Sequence, residues 1–243
     1  MTKILILTTE TIHHNFFVNR LLDYFPDITV VVETDLIKPK YDTIHEFENI
    51  RNDYERKLWK DYLKSSLKDI CTRYITCCDI NDKTISQKIN TLEFDVCIVF
   101  GTRKIGSDLI SKLPFNTFNL HGGDPRLYRG LDSHLWSIWH KDLRGLKTCI
   151  HRLNNKLDHG DIFQLKELNI NQIDSLYQLR ALNTEKCIDI SLLLLKNLKD
   201  DIDVSCKPQT HLGRYYSFMP VVLKEQCILR FKKLKNLSAT NEI

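Results

Sequence analysis

Apolar residues along this chain fall into short blocks with two alternating spacings, and the alternation predicts strands and helices in turn. Residues 4–7 are an unbroken apolar run ending at Thr8-Thr9, and Ile12, Phe16, Phe17 and Leu21 follow at helical spacing. Residues 28–32 are β-branched with no polar alternation, as expected of a strand covered on both faces of a parallel sheet. From residue 44 to about 67, Phe47, Ile50, Tyr54, Leu58 and Tyr62 form a stripe flanked by Glu48, Arg51, Glu55, Arg56 and Lys60, which predicts one long amphipathic helix. Residues 74–77 read as a short strand, 85–92 as a helix, and 96–100 as a buried strand running into Gly101-Thr102.

Residues 115–120 form a further strand that presents Asn119 and His121 at its carboxyl end, and 133–140 read as a helix. Two more strands, 147–153 and 162–170, bracket Asp158, and Asp174 is placed to cap a helix carrying Leu176, Leu179, Leu182, Ile188 and Leu192. From about Ser205 come Gly213-Arg-Tyr-Tyr-Ser-Phe-Met-Pro220 and a helix with Leu223, Cys227, Phe231 and Leu234. The expected organisation is one main domain, residues 1–204, with a short appendage, 205–243. The βα alternation predicts an α/β, Rossmann-like fold with a mostly parallel sheet and a ligand outside the carboxyl ends of its strands.

Composition narrows the function classes. At 243 residues, with 42% hydrophobic and 27% charged positions, the chain is long enough and apolar enough to fold around a full core. A net charge of +4 spread over 35 basic and 31 acidic residues lacks the basic stripe of a nucleic-acid binder, yet leaves small anionic ligands open. The eight cysteines show no CxxC spacing and several sit in apolar runs, as around Cys97 and Cys149, so they are expected as reduced core thiols. No apolar run reaches the length of a signal-peptide core or a membrane span, which predicts a cytoplasmic protein with no membrane partner; the cationic run 230–235 reads as a solvated helix face. No GxGxxG follows the first strand and no GxxxxGK[ST] occurs, which counts against dinucleotide and P-loop sites.

The candidate chemistry lies in Asn119-Leu-His121-Gly-Gly-Asp-Pro-Arg-Leu-Tyr-Arg-Gly130, then His151, then Asp158-His-Gly160-Asp-Ile162. Two apart on one strand, Asn119 and His121 share a face, so both can reach one reacting carbonyl. When an amine attacks a formyl or acyl carbon, negative charge grows on oxygen, where a side-chain amide such as Asn119 can donate a hydrogen bond. An imidazole can polarise the carbonyl or relay the proton, and a carboxylate such as Asp158 orients it. Taken singly, a histidine at a strand end is more often structural and an Asp near Gly is usually a turn. Their joint occurrence is what points to acyl transfer.

Asn-x-His, Tyr-Arg-Gly seven residues after the His, a strand carrying His151, and Asp-x-Gly-x-Ile at 158–162 together resemble the formyltransferase fold family that uses N10-formyltetrahydrofolate. The resemblance implies Asn119, His121 and Asp158 as the catalytic triad and N10-formyltetrahydrofolate as co-substrate. It implies a pterin pocket lined by Phe100, Gly101, Thr102, Arg103, Lys104 and Ile105 and by the segment with Leu157 and Asp158. The string from His121 to Trp136, with Thr8 to His14 and Tyr215 to Pro220, resembles the subgroup that formylates nucleotide-linked amino sugars, such as dTDP-4-amino-4,6-dideoxyglucose N-formyltransferases. That subgroup implies a role in surface polysaccharide (O-antigen) synthesis. Gly122-Gly123-Asp124-Pro125 departs from the commonest family form, and the departure bears on the acceptor: a GDP-linked amino sugar and water, as in a hydrolase, stay open, as does a non-catalytic folate or nucleotide-binding module. Methionyl-tRNA formyltransferase carries a further nucleic-acid-binding domain, for which the remaining residues are expected to be too few and insufficiently basic.

For a nucleotide-linked sugar, Thr9, Glu10, His13, His14, Asp124, Tyr128, Arg129 and Tyr216 are the expected acceptor contacts, with Arg129 the favoured cation for phosphate. Arg51, Arg56 and Lys57 on the long helix are further cations able to meet a diphosphate, although a solvated face is the expected role. Trp136, Trp139, Tyr215 and Phe218 are further aromatics able to stack on a base or pterin, though such spacing is more often core. His13-His14 is not expected to bind a metal, since neighbours on a helix do not face one point and no third ligand accompanies them. A homodimer is left open, and no nucleic-acid partner is expected.

Overall fold

The computed structural model describes residues 2–35 and 37–239, so residues 240–243 of the expected appendage lie outside the described residues. In chain order the elements are β1 (Ile4–Thr9), α1 (Ile12–Leu22), β2 (Ile28–Glu33), α2 (Glu46–Leu58), α3 (Leu67–Ile70), β3 (Arg73–Cys77), α4 (Lys83–Asn90), β4 (Val96–Phe100) and α5 (Ser107–Ile110). They continue with β5 (Thr117–His121), β6 (Tyr128–Gly130), α6 (Ser133–Trp139), β7 (Lys147–Arg152), β8 (Ile162–Glu167), α7 (Leu179–Lys199), β9 (Arg214–Tyr216) and α8 (Val221–Ala239). A 7-stranded sheet has the order β3-β2-β1-β4-β5-β7-β8, and β6 and β9 form a separate 2-stranded ribbon. The first five strands of the sheet pair in parallel and β7 and β8 pair antiparallel, giving the mostly parallel α/β fold that the pattern predicts.

The runs without polar alternation are apolar because both faces of the sheet are covered. On β1, Ile4 and Ile6 join Ile98, Phe118 and residues of α1 and α7, while Leu5 and Leu7 join Cys97, Val99 and residues of α4. Full burial of each such side chain is worth about 1.5–3 kcal/mol, so a polar residue on either face would be costly. The strand order reverses between β1 and β4, which opens a crevice at their carboxyl ends where the chain leaves in opposite directions. Thr9, Phe100 and the end of β5 all point the chain toward that crevice.

Several local expectations are corrected by tertiary contacts. The helix expected over 44–67 ends at Leu58, because Trp59 leaves helical geometry (φ −110, ψ 22) and stacks on Phe16 with ring centroids 4.1 Å apart. Burying that indole against α1 outweighs further helix propensity. Asp174 caps nothing: its side chain pairs with Lys235 at 2.8 Å, and Gln178 Oε1 instead accepts from the Asp174 and Ser175 amides at 2.7 and 2.9 Å. The chain after 204, expected as an appendage, completes a core. Met219, Cys227, Phe231 and Leu234 pack with Phe47, Leu135, Ile138 and Leu146, and β9 pairs with β6. Of the eight free cysteines, only Cys97, Cys149, Cys187 and Cys227 are buried; Cys78 is exposed. No helix of the described residues is long and apolar enough to cross a membrane.

Candidate active site

At the end of β5, Asn119 and His121 face one carboxylate. Asn119 Nδ2 lies 3.4 Å from Asp158 Oδ1, and His121 Nδ1 lies 3.6 Å from Asp158 Oδ2. The protonation of both imidazoles follows from their carbonyl partners. His121 Nε2 donates to the Tyr128 carbonyl at 2.8 Å, so its Nδ1 faces Asp158; His151 Nδ1 donates to the Arg152 carbonyl at 2.9 Å, so its Nε2 accepts from Asn119 Nδ2 at 3.2 Å. His151 sits directly across from Asn119 in the β5–β7 pairing, which is how the antiparallel strand brings it in. Burial alone would raise the Asp158 carboxyl. The adjoining His121 ring, the contact with His151 and the Gly130 amide (2.7 Å) together outweigh burial and hold it well below the usual carboxylate range, so it is ionised.

Asp158 occupies the left-handed region at φ 50, a conformation that costs a residue with a side chain on the order of 1–3 kcal/mol. The surrounding contacts enforce it. Gln209, from the segment expected to be an appendage, donates its Nε2 to the Asp158 and Gly160 carbonyls at 3.1 and 2.8 Å. Replacing Gln209 with Met keeps its bulk and removes both bonds. Q209M is expected to lower kcat by about 10-fold while leaving KM for either substrate within about 2-fold, because misplacing a reacting group costs rate more than binding. Steady-state kinetics check this, and an unchanged kcat would show that Gln209 does not hold the loop.

The triad opens onto a cavity of about 440 Å³ in the crevice. Phe100, Gly101, Thr102, Arg103, Lys104, Ile105 and Leu157 line it, and Phe100, Ile105 and Leu157 with Val99 and Leu153 supply an apolar wall beside Asn119. Gly101, at φ +85, must be glycine, since a Cβ there would sit 2.3 Å from the His14 ring. The Arg103 guanidinium is held by two carboxylates, with Nε 2.5 Å from Glu33 and Nη1 2.5 Å from Asp79, and so ties this loop to β2.

Of the expected acceptor residues, His13 and His14 line the cavity and the rest do not. Thr9 lies beneath, with its hydroxyl 2.7 Å from His14 Nδ1, and Glu10 is exposed and accepts from the Tyr74 hydroxyl at 2.9 Å. Asp124 is 1% exposed and bound to Arg126 at 2.8 and 2.6 Å, so its charge is consumed within the fold. Arg129 does not line the cavity, and two of its donors go to the Gly213 and Leu157 carbonyls at 2.7 and 3.3 Å. Tyr128 and Tyr216 stack on each other with centroids 5.4 Å apart, and the Tyr216 hydroxyl meets His140 at 3.1 Å. Tyr215, its neighbour on β9, reaches the cavity instead.

Arg51 from α2 completes the wall, together with residues that local pattern does not single out: Asp132 and His134 around the start of α6, and Arg180 and Asn183 from α7. Their contacts join distant parts of the chain. Arg180 grips Glu55 at 2.8 and 2.6 Å and Asn52 at 2.7 Å, and Glu55 has no exposure at all. The face of α2 expected to be solvated is therefore partly a cavity wall. Asp132 accepts from the Met219 amide at 2.7 Å, so the C-terminal segment braces this side as well. Among the described residues, no group of three or more His, Cys, Asp or Glu side chains could hold a metal ion.

The buried histidines give a pH signature. Burial, helped by the charge of Arg180, pushes His14 down to about 3, and burial pushes His134 down to about 4. In the unfolded chain both would take up protons near pH ~6.5, whereas the folded chain holds them neutral until about 3–4. Stability is therefore full above pH ~6.5 and declines as pH falls below it, and Asp158 adds a further loss only below pH ~4. Urea unfolding should show a lower midpoint at pH ~5 than at pH ~7.5. Equal midpoints would contradict the neutral, buried state of these rings.

Known proteins share this arrangement of sequence and fold. A family model described as formyl transferase matches residues 61–187, which span Asn119, His121 and Asp158. The chain is 32% identical over 146 residues, 57% of its length, to the bifunctional polymyxin resistance protein ArnA of Wigglesworthia glossinidia brevipalpis, and 27% identical over 155 residues, 63% of its length, to methionyl-tRNA formyltransferase of Thermotoga sp. (strain RQ2). It spans 22% and 48% of those two relatives. In structure it is similar to the N-formyltransferase from Helicobacter canadensis crystallised with folinic acid and dTDP-3-aminofucose: TM-score 0.60, 14% identity, covering 89% of this chain and 71% of that one. At that identity the likeness is one of fold.

Proposed function

Because the chain belongs to the formyl transferase family, we propose that it transfers the formyl group of N10-formyltetrahydrofolate to the amine of a nucleotide-linked amino sugar. The acceptor to test first is dTDP-4-amino-4,6-dideoxyglucose, in surface polysaccharide (O-antigen) synthesis. The carrying observation is the convergence of Asn119, His121 and Asp158 at the mouth of a cavity beside the reversal of strand order. The apolar wall of Val99, Phe100, Ile105, Leu153 and Leu157 fits a flat ring system, and Gly101 leaves backbone close to it. The ligands held by the Helicobacter canadensis protein, folinic acid and a dTDP-linked amino sugar, support the same two substrate classes here.

In this reading the neutral amine attacks the formyl carbon, and Asn119 Nδ2–H donates to the oxygen that becomes negative. Its 3.4 Å contact with Asp158 is long enough to yield to a stronger acceptor. The C–N10 bond breaks, the amine loses a proton to His121, and that proton passes to N10 as tetrahydrofolate leaves. The ionised Asp158 stabilises the imidazolium between those transfers.

Incubating the protein with N10-formyltetrahydrofolate and dTDP-, UDP- or GDP-linked amino sugars, and following tetrahydrofolate release, tests the proposal. Release that requires one of these acceptors is expected. Release without any acceptor would assign a hydrolase, and none with any acceptor would leave a binding module.

A further inference from the structure

Arg51 stands out in the cavity wall as a cation without a counter-ion. Its Nε is buried with no hydrogen-bond partner, and its guanidinium carbon lies 5.5 Å from the centre of the Phe47 ring. The three carboxylates that surround it are each engaged elsewhere. Glu55 holds Arg180 at 2.6 Å, Glu48 holds the buried Lys224 at 2.8 Å, and Asp132 accepts from the Met219 amide at 2.7 Å. Burial, reinforced by the neighbouring Arg180 charge, pushes Arg51 down to about 10 against the weaker pull of those carboxylates. A guanidinium stays protonated at neutral pH under such a shift, so the fold holds against the cavity a positive charge that makes no direct ion pair and whose Nε has no hydrogen-bond partner. Such a charge is costly unless an anion arrives to pair with it.

Its position separates two parts of one cavity. The segment from Val99 to Ile105 and Leu157 form one wall next to Asn119, whereas Phe47, Arg51, Leu176, Leu179 and Arg180 come from α2 and the chain around the start of α7. We propose that Arg51 is the anion anchor of the acceptor half of this cavity and takes a phosphate of the acceptor's diphosphate through its planar donor fork. This inference rests on the functional reading above for the identity of the acceptor. The anion site itself rests only on the unpaired guanidinium and its committed neighbours. Arg180 is the supporting cation: its own donors are held by Glu55 and Asn52, so it keeps Arg51 unpaired and does not compete for the ligand.

The test uses inorganic pyrophosphate as the probe, titrated calorimetrically into the intact protein, its Arg51→Met variant and its Arg51→Lys variant. Loss of one partner of a desolvated charge pair predicts that R51M weakens pyrophosphate binding by roughly 30-fold or more, with R51K in between. In turnover, R51M should raise the acceptor KM by roughly the same factor while the N10-formyltetrahydrofolate KM stays within about 2-fold. Thermal unfolding guards against a folding defect, and R51K, which retains the charge, serves if R51M does not fold. Unaltered pyrophosphate binding in R51M, or no pyrophosphate binding by the parent protein, overturns the anion site. A rise in the KM of the formyl donor in place of the acceptor also overturns it, by assigning the cation to the donor's carboxylates. Pyrophosphate binding that R51M abolishes, with no turnover on any amino sugar, upholds the anion site and sinks the functional reading instead.

Discussion

His121→Ala is expected to reduce kcat by about 10²-fold or more with the fold intact, and Asn119→Ala to do the same, because in the proposed reaction each removes a group that acts on charge developing in the transition state. The two losses have separate origins. Without the imidazole, no group relays the proton between the amine and N10, and Asp158 loses the cation it is placed to stabilise. Without the amide, the oxyanion has no side-chain donor at the end of β5, and His151 Nε2 loses the partner it holds at 3.2 Å. Asp158→Asn keeps the shape and the left-handed backbone but removes the charge, so it too should cost about 10²-fold in kcat with little effect on KM. Tetrahydrofolate release under saturating substrates gives the numbers, and circular dichroism verifies folding. Turnover within about 3-fold of the parent for either alanine variant would remove that residue from the reaction.

Gly160→Ala is expected to be as damaging by a steric route. An added Cβ would lie 1.6 Å from the Arg152 carbonyl oxygen and 2.6 Å from its carbon, so backbone must move. The Arg152 carbonyl is also the acceptor for His151 Nδ1, and the Gly160 carbonyl is one of the two that Gln209 holds. The displacement therefore reaches His151 and Asp158 together. Overpacking of this kind costs about 1–3 kcal/mol of stability. A shift of about 1 Å in the carboxylate is enough to reduce turnover by roughly 10²-fold. Thermal unfolding and kcat measured on the same preparation check both parts. A G160A protein with parental midpoint and parental kcat would mean that the close approach is not required.

Local pattern determined the strands that one crossing of the sheet buries on both faces. Their sequences lack polar alternation, with apolar or threonine side chains at every position but the terminal Glu33 of β2, and a fully covered parallel strand imposes that regardless of its neighbours, as in β1, β2 and β4. It also placed Asn119 and His121 on one face, two apart on a strand, while Asp158, in a Gly-containing turn between two strands, was joined to them as one set by the resemblance to the formyltransferase family. The limits of α2 were not readable in the same way. Trp59 ends that helix by stacking on Phe16, more than forty residues earlier, and only the packing of α1 against α2 creates that alternative.

The acceptor side of the cavity shows the same division more sharply. Asp124 and Arg129 have the right charges in the right stretch of sequence, yet Arg126 and two backbone carbonyls consume them. Arg51 looks like one more charge on an amphipathic helix, yet Arg180, Lys224 and Met219 occupy every carboxylate near it. Gln209 carries no motif, yet it holds the Asp158 loop from a segment with the pattern of an appendage. By itself the sequence determined the sheet, its carboxyl-end crevice and the Asn119–His121 pair, since periodicity and short spacings are properties of neighbouring residues, and resemblance to a family added Asp158. Only the tertiary structure decided which charges remain free to meet a ligand, because whether a side chain is spent or available depends on which partners the fold brings to it, some two residues away, as Arg126 is from Asp124, and others more than a hundred.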